Sequence, residues 1–176
     1  MCSSDLSEVG PRDGLQSVQA TMATPHKLAW IDALHGAGLR EIEVGSFVPA
    51  RLLPQLADTA EVLAHARTLP GLSASVLVPN LRGAEAALGG GADLMILPLS
   101  ASHAHSLANL RKTPDEVVQT IAAMVQARQA RASSIRIEVG MSTALGCTIQ
   151  GEVAVDEVLR LLRAVDRKST RLNSSH

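Results

Sequence analysis

The chain has 176 residues, a formal net charge of −1, one Trp, one Phe and no Tyr. This excludes a broad basic field for nucleic acid or an anionic membrane, and a base-stacking surface. With 46% hydrophobic and 19% charged residues, it reads as one soluble domain with an aliphatic core, as in parallel sheets covered by helices.

The elements alternate from the start. A stub of a first strand leads into Glu8-Val9-Gly10. Thr24 is read as an N-cap, with Pro25 at the first helical position. Leu28, Ile31, Leu34 and Leu39 then follow at helical spacing. Residues 41–48 (EIEVGSFV) read as a strand ending in a loop, and residues 54–67 as the second helix. Residues 72–78 (LSASVLV) form another strand, stopped by Pro79. Asn80 caps a helix that runs through Ala84 and Leu88 and stops at Gly89-Gly90-Gly91. Residues 94–99 (LMILPL) are the next strand, and Thr113-Pro114-Asp115-Glu116 starts a helix with acidic residues in its first turn. Ile135-Arg136-Ile137-Glu138-Val139 is a further strand, and residues 155–165 are the last helix.

Strand–helix alternation with apolar strands implies parallel βαβ units, about five of them. A closed (β/α)8 barrel has eight and typically needs about 250 residues. A complete five-stranded open sheet of the flavodoxin-like type also fits, and length alone does not separate the two. Residues 1–6 and 167–176 are polar and break the apolar period; we read them as flanking sequence foreign to a domain spanning 7–166. No apolar run reaches the roughly 20 residues of a membrane span. The first residues lack a signal peptide's basic and apolar regions. Two distant cysteines, Cys2 and Cys147, make no disulfide framework. The expected location is a reducing cytoplasm.

Chemistry concentrates in two segments. The run Glu8-Val9-Gly10-Pro11-Arg12-Asp13-Gly14-Leu15-Gln16 sits where the first strand ends, which in a barrel is the face that carries active sites. Arg12 offers a rigid fork of donors for a carbonyl or carboxylate. Asp13 offers hard oxygen ligands for a divalent cation. Gly10, Pro11 and Gly14 shape the loop so that both side chains point inward. A surface Arg-Asp pair on a turn is the plainer alternative. In the second segment, Glu43 lies inside an apolar strand, where a carboxylate is expensive unless paired or facing a polar site. Near Arg12 it would pair and be poised for proton or charge management. Its alternative is a solvent-facing Glu on an edge strand.

Three further features are weaker. His103-Ala104-His105 would present two imidazoles to a metal if the backbone were extended, but an ordinary polar loop with Ser100, Ser102 and Ser106 is the preferred reading. Cys147 is read as a small, partly buried thiol. Gly89-Gly90-Gly91 lacks the order of a phosphate cradle and is read as a helix C-cap and turn.

The run EVGPRDGLQ, followed by AGLREIEVGSFV and LPQLAD, resembles the hydroxymethylglutaryl-CoA lyases. So do VLVPNLRGAEAALGGGAD, SLANLRKTPDEVV and STALGCTIQGEV. The resemblance extends over roughly residues 8–166, and the isopropylmalate synthases share a looser form of it. It implies the first five βα units of a (β/α)8 TIM barrel, and a Mg2+- or Mn2+-dependent carbon–carbon lyase acting on an acyl-CoA. That enzyme cleaves 3-hydroxy-3-methylglutaryl-CoA to acetyl-CoA and acetoacetate, in leucine degradation and ketone body formation. Under this resemblance Arg12 and Glu43 are catalytic, Arg12, Gln16 and Ser46 bind substrate, and Asp13 is a metal ligand. Full-length members would be candidates for homodimers. The family's remaining ligands, an H-x-H pair and an Asn, and its loop Cys would lie beyond this chain, leaving it inactive alone. An isopropylmalate- or citramalate-synthase-type condensing enzyme and a non-catalytic five-unit α/β binding domain are the alternatives.

Overall fold

The computed structural model describes residues 6–170, with side-chain detail through residue 167. Five parallel strands form one sheet in the order β1-β2-β3-β4-β5: β1 (Ser7–Glu8), β2 (Glu41–Ser46), β3 (Ser73–Leu77), β4 (Leu94–Ser100) and β5 (Arg136–Ser142). Sequential order matters. A flavodoxin-like sheet reverses direction at a switch point and places helices on both faces. Here each strand pairs with the next, and the sheet curls into half of a TIM barrel.

The helices are α1 (Thr24–Gly36), α2 (Thr59–Ala66), α3 (Leu81–Gly90), α4 (His103–Leu110), α5 (Pro114–Ala130) and α6 (Val155–Thr170). Their packing follows from strand alternation. Ile42 and Val44 of β2, Ala74 and Val76 of β3, and Met95, Leu97 and Leu99 of β4 point outward into one apolar core with Ile31, Leu63 and Ile121 of the helices. The intervening residues, among them Glu43, Ser75, Ile96, Ser100 and Glu138, lie outside that cluster, on the inner face of the curl.

Local signals explain most boundaries. The Asn80 side chain accepts a 2.9 Å bond from the Gly83 amide and starts α3, and Gly91, in the left-handed region at φ 70°, ends it. The glycine run is therefore a helix end, as Gly91's lack of Cβ allows. Thr113 and Glu116 form a reciprocal capping box for α5.

Four expectations need correction. Ala23, not Thr24, caps α1, and the Thr24 hydroxyl bonds Asp58 at 2.8 Å instead. The second helical region is split into a 3-10 turn (Pro54–Leu56) and α2. Residues 103–110, read as a loop, are helix α4, capped by Ser102. The last helix continues past residue 165 to Thr170. Of the proposed foreign flanks, residues 1–5 (with Cys2) and 171–176 lie outside the described residues.

Candidate active site

The site begins with one tight turn after β1. Gly10–Gly14 form a single π-helical turn in which the amides of Arg12 and Asp13 both donate to the Val9 carbonyl, at 3.1 and 2.7 Å. Gly10 is required by close approach. A Cβ there would lie 2.7 Å from a Glu8 carboxylate oxygen and 3.1 Å from the Trp30 ring. Its amide instead donates to that Glu8 oxygen at 2.6 Å. The turn is thus clamped against α1, and Arg12 is aimed across the end of β2.

β2 is bent to meet it. The register with β3 slips between Glu43 and Gly45, leaving Val44 as the extra residue of a bulge. A Cβ on Gly45 would lie 2.5 Å from the Thr59 hydroxyl oxygen. The bare backbone lets that hydroxyl accept from the Ser46 amide at 3.0 Å while its own proton faces the Leu56 carbonyl at 2.7 Å. The bulge and this anchor hold Glu43 on the inner face.

Arg12 and Glu43 form the centre. Arg12 Nη2 donates to Glu43 Oε2 at 2.8 Å, and Arg12 Nε lies 2.8 Å from Glu43 Oε1. The second contact is an ion pair only, because the Nε–H misses the oxygen's line and leaves both atoms without a hydrogen bond. The side chains are 15% and 1% exposed, so Glu43 is not a solvent-facing residue, and of the Arg12–Asp13 pair on the turn only Asp13 lies at the surface. Burial pushes the Glu43 carboxyl above the ordinary carboxylate range. Arg12 opposes that rise, while the charges of Asp13 and Glu138 add to it.

Asp13 and Gln16 complete the cluster. Arg12 Nη1 donates to Asp13 Oδ1 at 2.9 Å and reaches Gln16 Oε1 at 3.5 Å. Asp13 is 59% exposed, so its carboxylate faces the open rim and not, as expected, the interior. It is a hard oxygen donor and fits one position of a divalent-cation site. Among the described residues no three His, Cys, Asp or Glu side chains converge as a metal set. Ser46 is not joined to Arg12. Its hydroxyl donates to the Leu77 carbonyl at 3.3 Å, and the residue is almost fully buried.

The histidine pair does not converge. Helix α4 turns about 100° per residue, so His103 and His105 diverge. His105 Nδ1 meets the Ser100 hydroxyl at 2.7 Å. Cys147 is a free, partly buried thiol, and hydrogen bonds led by that from Ser102 pull its pKa down. Glu138, whose charge reaches Glu43, was missed. The strict alternation in Ile135-Arg136-Ile137-Glu138-Val139 was the available signal, because it puts Glu138 on the face opposite Ile137 and Val139.

The chain is similar to known proteins over most of its length. Hydroxymethylglutaryl-CoA lyase of Gallus gallus is 40% identical over 151 residues, 86% of this chain and 50% of that protein. The 3-hydroxy-3-isohexenylglutaryl-CoA/hydroxy-methylglutaryl-CoA lyase of Pseudomonas aeruginosa is 37% identical over 162 residues, 92% of this chain and 53% of that protein. Among solved structures, hydroxymethylglutaryl-CoA lyase from P. aeruginosa superposes with a TM-score of 0.84 at 35% identity, covering 93% of this chain and 54% of the other. An HMG-CoA lyase from Acenitobacter baumannii, in complex with coenzyme A and 3-methylmalate, gives 0.85 at 32% identity, covering 92% and 52%. The chain spans about half the length of the relatives it matches. The HMGL-like family profile matches residues 4–172, so the clamped turn and its buried Arg12–Glu43 pair lie within the match, and the chain belongs to that family.

Proposed function

We propose that this chain is the first half of a divalent-metal-dependent lyase that cleaves 3-hydroxy-3-methylglutaryl-CoA to acetyl-CoA and acetoacetate. The observation that carries this reading is the Arg12–Glu43 pair, buried at the strand ends with a third Arg12 nitrogen directed to Asp13 at the rim. The chemistry needs a fixed positive charge. A base takes the tertiary hydroxyl proton, and that oxygen forms the ketone of acetoacetate as the C–C bond breaks. The enolate carbon left on the thioester side then takes up a proton to give acetyl-CoA. Before it does, the released electron pair is a thioester enolate, with charge on its carbonyl oxygen. Arg12, held by Glu43, is a preorganised partner for that oxygen. Glu43 orients the guanidinium and assists proton handling. Gln16, at the edge of the Arg12 cluster, is placed to bind substrate, and we assign Ser46 to the wall beneath it.

A Mg2+ or Mn2+ ion, when bound, supplies Lewis acidity toward the substrate's hydroxyl and carboxylate oxygens. Asp13 is the residue of this chain that would hold it. The relative crystallised with coenzyme A supports an acyl-CoA substrate. No helix among the described residues is long and apolar enough to cross a membrane. We place the activity in the cytoplasm, although the vertebrate relatives are named mitochondrial.

The test joins residues 6–166 to the second half of the P. aeruginosa lyase and follows release of acetoacetate. We expect cleavage with Mg2+ or Mn2+, and its loss on chelation or in Asp13→Asn. Full activity after exhaustive chelation would overturn the metal-dependent reading.

A further inference from the structure

The β1–α1 and β2–α2 connections flank the Arg12–Glu43 pair, and a lysine is buried between them. Lys27, near the start of α1, is 2% exposed. Its Nζ donates to the Gln55 carbonyl at 2.5 Å and to Asp58 Oδ1 at 2.6 Å. The other oxygen of that carboxylate, Oδ2, accepts from the Thr24 hydroxyl at 2.8 Å. Gln55 and Asp58 both lie between β2 and α2.

From this node hydrogen bonds run both ways. Toward Arg12, Gln55 Nε2 donates to the Val18 carbonyl at 2.6 Å. The Val18 amide donates to the Leu15 carbonyl at 3.3 Å. The Ser17 amide donates to the Gly14 carbonyl, and its hydroxyl to the Asp13 carbonyl, both at 3.1 Å. Toward Glu43, the Asp58 carbonyl accepts the Glu61 and Val62 amides at 2.9 and 3.1 Å and so starts α2. The next residue, Thr59, accepts from the Ser46 amide at the end of the bulged strand that carries Glu43.

Stability alone does not account for a lysine here. An ion pair taken out of water is often no more stabilising than apolar side chains of equal volume. What an ammonium does that an apolar group cannot is hold two acceptors in fixed directions. Here one acceptor is the Gln55 backbone, whose side chain holds the Arg12 loop, and the other is Asp58, which starts the helix that anchors β2. Arg12 and Glu43 lie on the two segments so joined, and they meet at 2.8 Å.

We propose that Lys27 is a positioning residue for the reaction: by fixing the β2–α2 connection against the β1–α1 loop, it sets how the Arg12 guanidinium stands against Glu43. This inference rests on the lyase reading for the chemistry it serves. A preorganised charge loses its effect when displaced, and a shift of about 1 Å can cost up to about a hundredfold in rate.

The test uses the joined full-length enzyme with Gln55→Leu and with the double variant Lys27→Met/Asp58→Asn, which removes both charges of the pair together. Gln55→Leu cuts the link to Val18 and leaves Lys27 its two acceptors. Two readouts are taken: kcat and KM for hydroxymethylglutaryl-CoA, and solvent exchange of the Arg12 guanidinium protons by NMR. The double variant should lower kcat about tenfold with KM within about twofold, and Gln55→Leu should lower kcat about threefold, as misplacement of a transition-state partner does. In both, the Arg12 protons should exchange faster than in the parent. Parental kcat in the double variant, or a rise in KM alone, would reduce the node to a structural joint and overturn the inference while leaving the lyase reading intact. Should the double variant fail to fold, Gln55→Leu decides on the same two outcomes. A parent enzyme without cleavage would overturn the lyase reading instead. Proton exchange then still reports on this inference: faster exchange supports Lys27 as the group that fixes Arg12, and unchanged exchange overturns it.

Discussion

Strands β2 and β5 are of similar length and similarly apolar on their outward faces, yet their burial differs. Every residue of β2 after Glu41 is buried. β5 alternates between exposed and half-buried along its whole length. Ile137, Val139 and Met141 are no less hydrophobic than Ile42 and Val44. What β5 lacks is a second neighbour: β2 lies between β1 and β3, while β5 pairs with β4 alone. Its outer face, with α5 and α6, borders a cleft of about 420 Å3 lined by Ile121, Val125, Ile137, Val139, Met141 and Leu162. Leu159 and Leu162 of α6 are exposed. Burial here is a property of the sheet's continuation and not of the strand. The site follows the same gradient, since the Arg12–Glu43 pair is built at the β1–β2 end and a convergent metal set is absent from the described residues.

The largest test of this contrast is the 176-residue chain alone. We expect no cleavage of hydroxymethylglutaryl-CoA and no sharp, monomeric melting transition. An open β5 edge invites association. Apolar surface left in water forfeits about 25 cal/mol per Å2, against a net stability of only about 5–15 kcal/mol. Size-exclusion chromatography and thermal melting decide it, and a cooperatively melting monomer would break the contrast.

Next in size is Arg12→Met in the joined enzyme. Loss of a charge partner made in the transition state should lower kcat by about two to three orders of magnitude. A rise in KM alone would make Arg12 a binding group only.

The core substitutions sharpen the comparison directly. In the joined enzyme a further strand can cover β5, so Ile137→Ala should cost about as much as Ile42→Ala, each about 2–5 kcal/mol by chemical denaturation. If Ile137→Ala costs well under half of Ile42→Ala, β5 remains an edge in the whole protein. Asn80→Ala removes the α3 cap far from either edge and should cost about 1 kcal/mol in the same assay.

The smallest effect links the two ends. Glu43 has a raised carboxyl, so the folded state binds its proton more tightly than the unfolded chain. Its contribution to stability is fully present below the ordinary carboxylate pKa and is lost as pH rises through the folded value. Glu138→Gln removes one charge that raises Glu43, so the folded value should fall and this loss should shrink. Denaturation across the acid range in the joined enzyme measures it. An identical pH slope would mean that the β5 charge does not reach Glu43.

Strand and helix order, the Asn80 cap and the helix start at Thr113-Pro114 were legible because each acts over a few residues. So was the Arg12 turn, whose glycines and proline carry their own backbone restrictions. Glu43 stood out because a carboxylate in an apolar strand needs a partner. Helix α4 was not legible, since Ser, His and Ala between a strand and Leu107 fit a loop equally well, and its Ser102 cap became evident only with Thr143 and Gln150 packed against it.

By itself, then, the sequence determined the local elements and the residue types of the site, because propensity, capping and periodicity are short-range. Only the tertiary structure decided that Asp13 faces the rim while Arg12 turns inward, that Val44 bulges so Gly45 can meet Thr59, and that Glu138 and His105 share the inner face with the site. Those outcomes depend on which strands become neighbours and how the sheet curls, and such contacts join residues tens of positions apart that no local pattern brings together.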